Sequence, residues 1–199
     1  MNRYGFIGIA VVLLITVLLI FSAVYLWGGF AGGGHEDYGF LDQSELSTID
    51  IASPGVHVYQ ESSTVFVNGS VHLTVMAGPM NASSMYSFEI LGIINPEIQI
   101  TPGSDIQFTV VNIDNDSYHN FVLSTAGPPY PDFPRMEMMS GSSGGYGYVS
   151  MMGYLPPENN GLYAYTNISY NFSSAGIYWY LCTYPSHAQD GMFGKIVVT

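Results

Sequence analysis

The sequence is nearly without cations. Arg3, Arg135 and Lys195 are its only Lys or Arg residues, set against fifteen acids, for a formal charge of −12 at pH 7. Binding to nucleic acid requires clustered Lys and Arg to displace phosphate counterions, and three scattered cations exclude it. Charged residues of either sign make up only 9% of the chain, whereas aromatics make up 15%, the reverse of a disordered composition. One cysteine, Cys182, excludes an intrachain disulfide framework and any all-cysteine zinc site. Internal repeats are also missing. What is present is 199 residues, 48% of them apolar, enough for one core and with a single thiol to explain.

The apolar residues fall into two regimes. From Tyr4 to Trp27 no residue is charged, and most are Ile, Val, Leu or Phe. As a helix those 24 residues span roughly 36 Å, enough for a hydrocarbon layer of about 30 Å. Tyr4 and Trp27 stand at its edges, where amphipathic rings prefer the interface, with Arg3 before the run and Glu36 and Asp37 after it. The expectation is an N-terminal transmembrane helix over residues 4–27, with the N-terminus inside and the remainder outside the cell membrane. A cleaved signal peptide is the competing reading; the run is longer than its usual apolar stretch, and no clear cleavage site follows. Residues 1–27 then form the anchor. Residues 28–55 form a Gly-rich tether (Gly28–Gly34) and a short extension, and residues 56–199 form the folded domain.

From Val56 onward the pattern is one of short strands. Thr64–Val67 and Ser70–Ala77 flank Asn68-Gly69, the favoured two-residue hairpin turn, and are expected to pair. Ile98 and Ile100, then Ile106, Phe108 and Val110, alternate with polar residues as half-buried strands do. Further runs are Ser87–Leu91, Asn120–Ser124, Tyr163–Asn171, Gly176–Cys182 and Lys195–Thr199, while Asp42–Thr48 reads as a short helix. Seven or more strands with little helix indicate an all-β, antiparallel sandwich. The long exception is 127–160, rich in Gly, Pro, Ser and Met. Five Asn-x-Ser sequons (Asn68, Asn81, Asn115, Asn167, Asn171) would face outward in this topology.

Cys182, His187 and Met192 stand five residues apart in YLCTYPSHAQDGMFG, on a loop between two expected strands. Each alone defaults to packing: a lone Cys is usually a small buried hydrophobe, and His or Met is no different. Together they place a thiolate, an imidazole and a thioether on one loop. Two His and one Cys in a plane with a long axial Met make a mononuclear blue copper site. His119, which opens the run Asn120–Ser124, is the candidate for the second imidazole. Zinc rarely uses thioether sulfur. A dinuclear copper centre needs a second cysteine on the loop, and there is none. His35, His57 and His72 have no ligand-like spacing.

Over Thr64 to Thr199 the chain resembles the rusticyanin-like type 1 blue copper proteins of the cupredoxin family. The resemblance is carried by SFEI (87–90), NPEIQITPG (95–103), GPPY (127–130) and GMFGKIVV (191–198). It implies a Greek-key β-sandwich with one copper, cycling between Cu(II) and Cu(I), on His119, Cys182, His187 and Met192. The expected anchor is closer to the membrane-bound sulfocyanins of archaeal acidophiles. Two positions depart from rusticyanins: Asn120 replaces a serine after the first ligand histidine, and Ser186 replaces a glycine before the second.

Four protein ligands leave no open position for substrate, so electron transfer rather than catalysis is expected. Asn120, Pro185 and Phe193 are expected around the ligands, within an apolar shell that includes Phe121, Tyr178, Trp179 and Tyr180. His187 is expected nearest the surface, as the electron port. Met136, Met138, Met139, Met151 and Met152 suggest an adaptable docking surface. The resemblance implies redox partners, a cytochrome or a terminal oxidase complex, in an acidophile's iron- or sulfur-oxidising chain. The alternative is a copper chaperone or storage protein holding Cu(I) on exposed sulfur and delivering it to an oxidase.

Overall fold

A computed structural model describes residues 38–49, 52–79, 82–135 and 147–199. The expected anchor over residues 4–27 lies outside the described residues. Among the described residues no helix is long and apolar enough to cross a membrane.

The described chain is a two-sheet sandwich. The first sheet runs in the order β1 (Gly39–Asp42), β11 (Leu162–Phe172), β8 (Ser104–Asn112), β4 (Val71–Ala77), β5 (Phe88–Ile90) and β6 (Ile93–Ile94). The second runs β10 (Tyr148–Met151), β9 (Val122–Ser124), β12 (Gly176–Leu181), β13 (Phe193–Val198), β7 (Glu97–Ile100), β3 (Thr64–Val67) and β2 (Val56–Tyr59). The one described α-helix, α1 (Gln43–Ile49), starts on a reciprocal cap. Asp42 Oδ1 accepts from the N–H groups of Ser44 and Glu45, while Glu45 Oε2 accepts from that of Asp42. The segment expected as tether and extension thus supplies, within its described part, an edge strand and a capped helix.

Two expectations are corrected. The sheets are mixed rather than antiparallel, because β3 and β13 run parallel to β7, and β4 runs parallel to β8. Thr64–Val67 and Val71–Ala77 also do not form a hairpin: β3 lies in one sheet and β4 in the other. Asn68-Gly69 is the crossing between the layers, with the Asn68 N–H donating to Gly55 O and the Gly69 N–H to Ser104 Oγ. The turn chemistry is real, with Gly69 at φ +87°, yet burial decides the pairing. Val65 and Val67 of β3 and Leu73 and Val75 of β4 all face the core, and two sheets supply two inward faces for them.

That core joins the alternating residues of both sheets, Ile98, Ile100, Ile106, Phe108 and Val110 among them, with an aromatic centre of Phe88, Phe108, Phe121 and Tyr180. Each such ring contributes about 1.5–3 kcal/mol through burial, so this centre is a rigid floor. Cys182 and Met192 belong to the same core.

Candidate metal centre

Sheet pairing brings the loop residues together. Leu181, the last residue of β12, faces both Phe193 of β13 and Val122 of β9. Cys182 therefore leaves β12 beside Met192, which enters β13, and near the chain that precedes β9. The Cys182 N–H donates to Met192 O at 3.0 Å, and the Met192 N–H to His187 O at 2.9 Å. The intervening turn passes through Ser186 in the left-handed region, φ +67°. A glycine would take that conformation without strain. His119 is fixed by a two-way bridge to Leu155, its N–H donating at 3.2 Å and its carbonyl accepting at 2.7 Å.

The ligand atoms converge as the spacing predicts. His187 Nδ1 lies 3.5 Å from Cys182 Sγ, His119 Nδ1 lies 3.9 Å from it, and the two Nδ1 atoms are 3.1 Å apart. Three donors about 2.0–2.3 Å from a shared metal, in one plane, must stand roughly 3.5–3.8 Å from one another. The observed sides of 3.1, 3.5 and 3.9 Å straddle that range, and the triangle is the one such cluster among the described residues. Met192 is completely buried beside it.

The surroundings favour a metal over protons. Burial, reinforced by the neighbouring His119, holds the His187 imidazole down at about 4, and burial lowers His119 despite the Asp114 carboxylate beside it. Both rings are therefore neutral donors near pH 7. Burial pushes the Cys182 thiol up to about 12, while the backbone N–H groups of Asn120 and Tyr184 favour its anion. A divalent cation is the partner that would draw off that proton.

Asn120 ties the two ligand segments together. Its Oδ1 accepts from the Thr183 N–H at 2.7 Å and its Nδ2 donates to Thr183 Oγ1 at 2.8 Å. Pro185 is half-buried on the loop. Phe193 does not join the ligands: strand alternation turns it to the opposite side from Met192, where it packs edge-on with Tyr130 and Trp179. Met152 belongs to the core and so leaves the expected docking set, and Met151 is half-buried. Met136, Met138 and Met139 lie outside the described residues. His57 and His72 stand apart from the cluster, on Phe66 and Thr109 respectively, and His35 lies outside the described residues.

Sequence reasoning missed Asp114. Its Oδ2 sits 2.9 Å from His119 Nε2, with both groups buried. A carboxylate only accepts here, so Nε2 carries the hydrogen and the Nδ1 lone pair is left for the metal. Burial pushes Asp114 up, but the Asp116 N–H and the His119 ring outweigh it, and the net effect keeps Asp114 ionised. Asn112, also buried, accepts the Asp114 N–H at 3.1 Å and donates to the carbonyls of Ser117, Leu155 and Pro156. The missed signal is an acid five residues before the ligand histidine.

A planar thiolate–imidazole–imidazole set with a buried thioether, at one end of a β-sandwich, defines a cupredoxin with a type 1 copper site. Comparison with known proteins agrees. Residues 88–199 match the family of copper binding proteins, plastocyanin/azurin family. Rusticyanin of Acidithiobacillus ferrooxidans is 32% identical over 135 residues, which are 68% of this chain and 67% of that protein. Rusticyanin of Acidithiobacillus ferridurans is 31% identical over the same shares. A solved structure of rusticyanin from Thiobacillus ferrooxidans superposes with a TM-score of 0.67 at 28% identity, covering 81% of this chain and 97% of that one. A reduced rusticyanin gives 0.68 at 27%, covering 81% and 99%. The chain belongs to the plastocyanin/azurin family of copper-binding proteins, and within it is rusticyanin-like, with His119, Cys182, His187 and Met192 as its type 1 copper ligands.

Proposed function

We propose that this chain is a one-electron carrier, tethered to the cell membrane through residues 4–27 with its copper domain outside. The observation that carries the reading is the closure of the site. His119, Cys182 and Met192 have no exposed surface and His187 is 3% exposed, so the four donors leave no face for a substrate. Copper bound there supplies a reversible one-electron couple. The chain's own residues hold the donors in one arrangement: Asp114 orients His119, Asn120 braces Thr183, and the aromatic floor prevents the loop from relaxing. A rigid donor set suits fast exchange and opposes release, which disfavours the chaperone reading.

The rusticyanin relatives support a place in an acidophile's respiratory chain, between an iron- or sulfur-oxidising donor or a cytochrome and a terminal oxidase. The anchor rests on the uncharged run Tyr4–Trp27. Repeated cycles of ascorbate reduction and air reoxidation in the presence of a Cu(I) chelator test the carrier. Retention of copper and of the visible band through the cycles supports it, while transfer of the metal to the chelator indicates a chaperone. Expression of the full chain beside a chain lacking residues 1–27 tests the tether: only the full chain should sediment with membranes.

A further inference from the structure

His187, expected nearest the surface, is only 3% exposed, and its ring is covered. Tyr86 stacks on the ring at 4.4 Å and 30°, Tyr184 lies against it at 4.8 Å, and Ser117 Oγ sits 3.4 Å from its Nε2. No partner can touch the imidazole without displacing these groups. From Tyr184 the aromatic path continues to Tyr118, whose ring is nearly parallel to it at 13°, with centroids 6.2 Å apart. Tyr118 is 45% exposed, which makes it the outermost ring of the series. Electron tunnelling falls exponentially with distance, so a donor resting on Tyr118 gains a continuous path of packed rings to the ligand.

Three exposed acids are linked to this path, by the chain itself or by hydrogen bonds to Ser186. Asp116 is two residues from Tyr118 and exposed. Asp132 accepts the Ser186 N–H through its carbonyl and the Ser186 hydroxyl through its carboxylate, and the Asp190 N–H donates to Ser186 O; both acids are exposed beside the ligand His187. The nearby cation is Arg135, which lies over the Tyr154 ring at 5.0 Å, and Tyr154 meets Tyr184 edge-on. Among these described residues three acids stand against one cation, which makes their sum negative at neutral pH.

Resting on the carrier reading above, we propose that electrons enter and leave through the Tyr184–Tyr118 stack, and that at neutral pH the Asp116, Asp132 and Asp190 rim favours a cationic one-electron partner. In the reducing direction the donor loses one electron and bound copper passes from the +2 to the +1 state. The tyrosines are not oxidised and no proton moves.

The test is stopped-flow reduction of the copper-loaded full chain at pH 7. The probes are hexaammineruthenium(II), a cation, and hexacyanoferrate(II), an anion. Tyr118→Leu should slow both reagents several-fold with the visible band and potential unchanged. Tyr118→Phe should restore the rate, and Tyr59→Leu, on a distant exposed ring, should not alter it. The triple variant Asp116→Asn, Asp132→Asn, Asp190→Asn should slow the cation alone, by about tenfold or more at low ionic strength, and remove its salt dependence. A wild-type rate in Tyr118→Leu overturns the route, as does slowing by Tyr86→Leu without slowing by Tyr118→Leu. Equal response of both reagents to the triple variant overturns the rim's selectivity. Absence of the band in the unaltered protein contradicts the carrier reading instead, so the two failures are distinct.

Discussion

Asp114 Oδ2 and His119 Nε2 stand 2.9 Å apart with both side chains buried, so the carboxylate fixes which nitrogen of the ligand histidine faces the metal. Removing it leaves a buried ring free to turn or to carry its hydrogen on the wrong nitrogen. Asp114→Ala should weaken copper affinity by about 10–100-fold, and Asp114→Asn, which can still accept through its amide oxygen, should lose less. Competition against a chelator measures both. Equal wild-type affinities would show that Asp114 does not orient the ligand.

Gly78 makes the Asp114–His119 pair possible. It has φ +75°, and a Cβ placed on it would meet Asp114 Cβ at 2.5 Å and His119 Nε2 at 2.9 Å. Gly78→Ala should therefore lower the melting temperature and weaken copper binding together. An alanine variant that melts lower but binds copper normally would separate the glycine from the site.

The four ligands were legible in the sequence because three of them share one loop at five-residue intervals, and local spacing survives any topology. His119 was legible as the imidazole next to a strand-like run. Asp114 was not, since its role arises only when the loop from Asn112 to Ser117 folds back under Asn112. The sandwich was readable from alternation at Ile98–Val110, but the partners of β3 and β4 were not. An Asn-Gly turn is a local signal, whereas both strands bury residues that only two separate sheets can cover. Phe193 failed for a simpler reason, as adjacent strand residues point to opposite faces.

Copper uptake should release about one proton per metal near pH 6–7. In the metal-free fold His187 titrates at about 4 and is already neutral, whereas Cys182, at about 12, still holds its proton. Affinity should thus fall about tenfold for each unit of acidification while both imidazoles are neutral, and more steeply near pH 4, where His187 competes as well. Calorimetry in buffers of different ionisation enthalpy counts the protons. Two or more released at pH 6 would mean that the imidazoles are charged before metal arrives.

The metal-free fold should itself lose stability on acidification. His187 is depressed from 6.5 to about 4, so the folded state binds fewer protons than the unfolded state across that window. Its contribution is present above pH 6.5 and lost as pH falls towards 4. Cys182 acts at the other end: raised from 9.0 to about 12, it favours the fold below pH 9 and ceases to do so as pH rises to 12. Ion pairs add little acid sensitivity, because Lys195–Glu97, at 3.2 Å, is the one Lys or Arg pair with a carboxylate among the described residues. Thermal melts of the metal-free protein should decline from pH 6.5 to 4 and less so when His187 is replaced by Phe. Parallel curves for the two proteins would contradict the assignment.

The central claim is that Cys182, with both imidazoles and Met192, holds one copper in a type 1 site. Titration of the metal-free protein with Cu(II), followed by visible absorption, tests it most directly. An intense thiolate-to-copper band should appear, saturate at one copper per chain and vanish in Cys182→Ser. A colourless complex, or colour that survives Cys182→Ser, would contradict it.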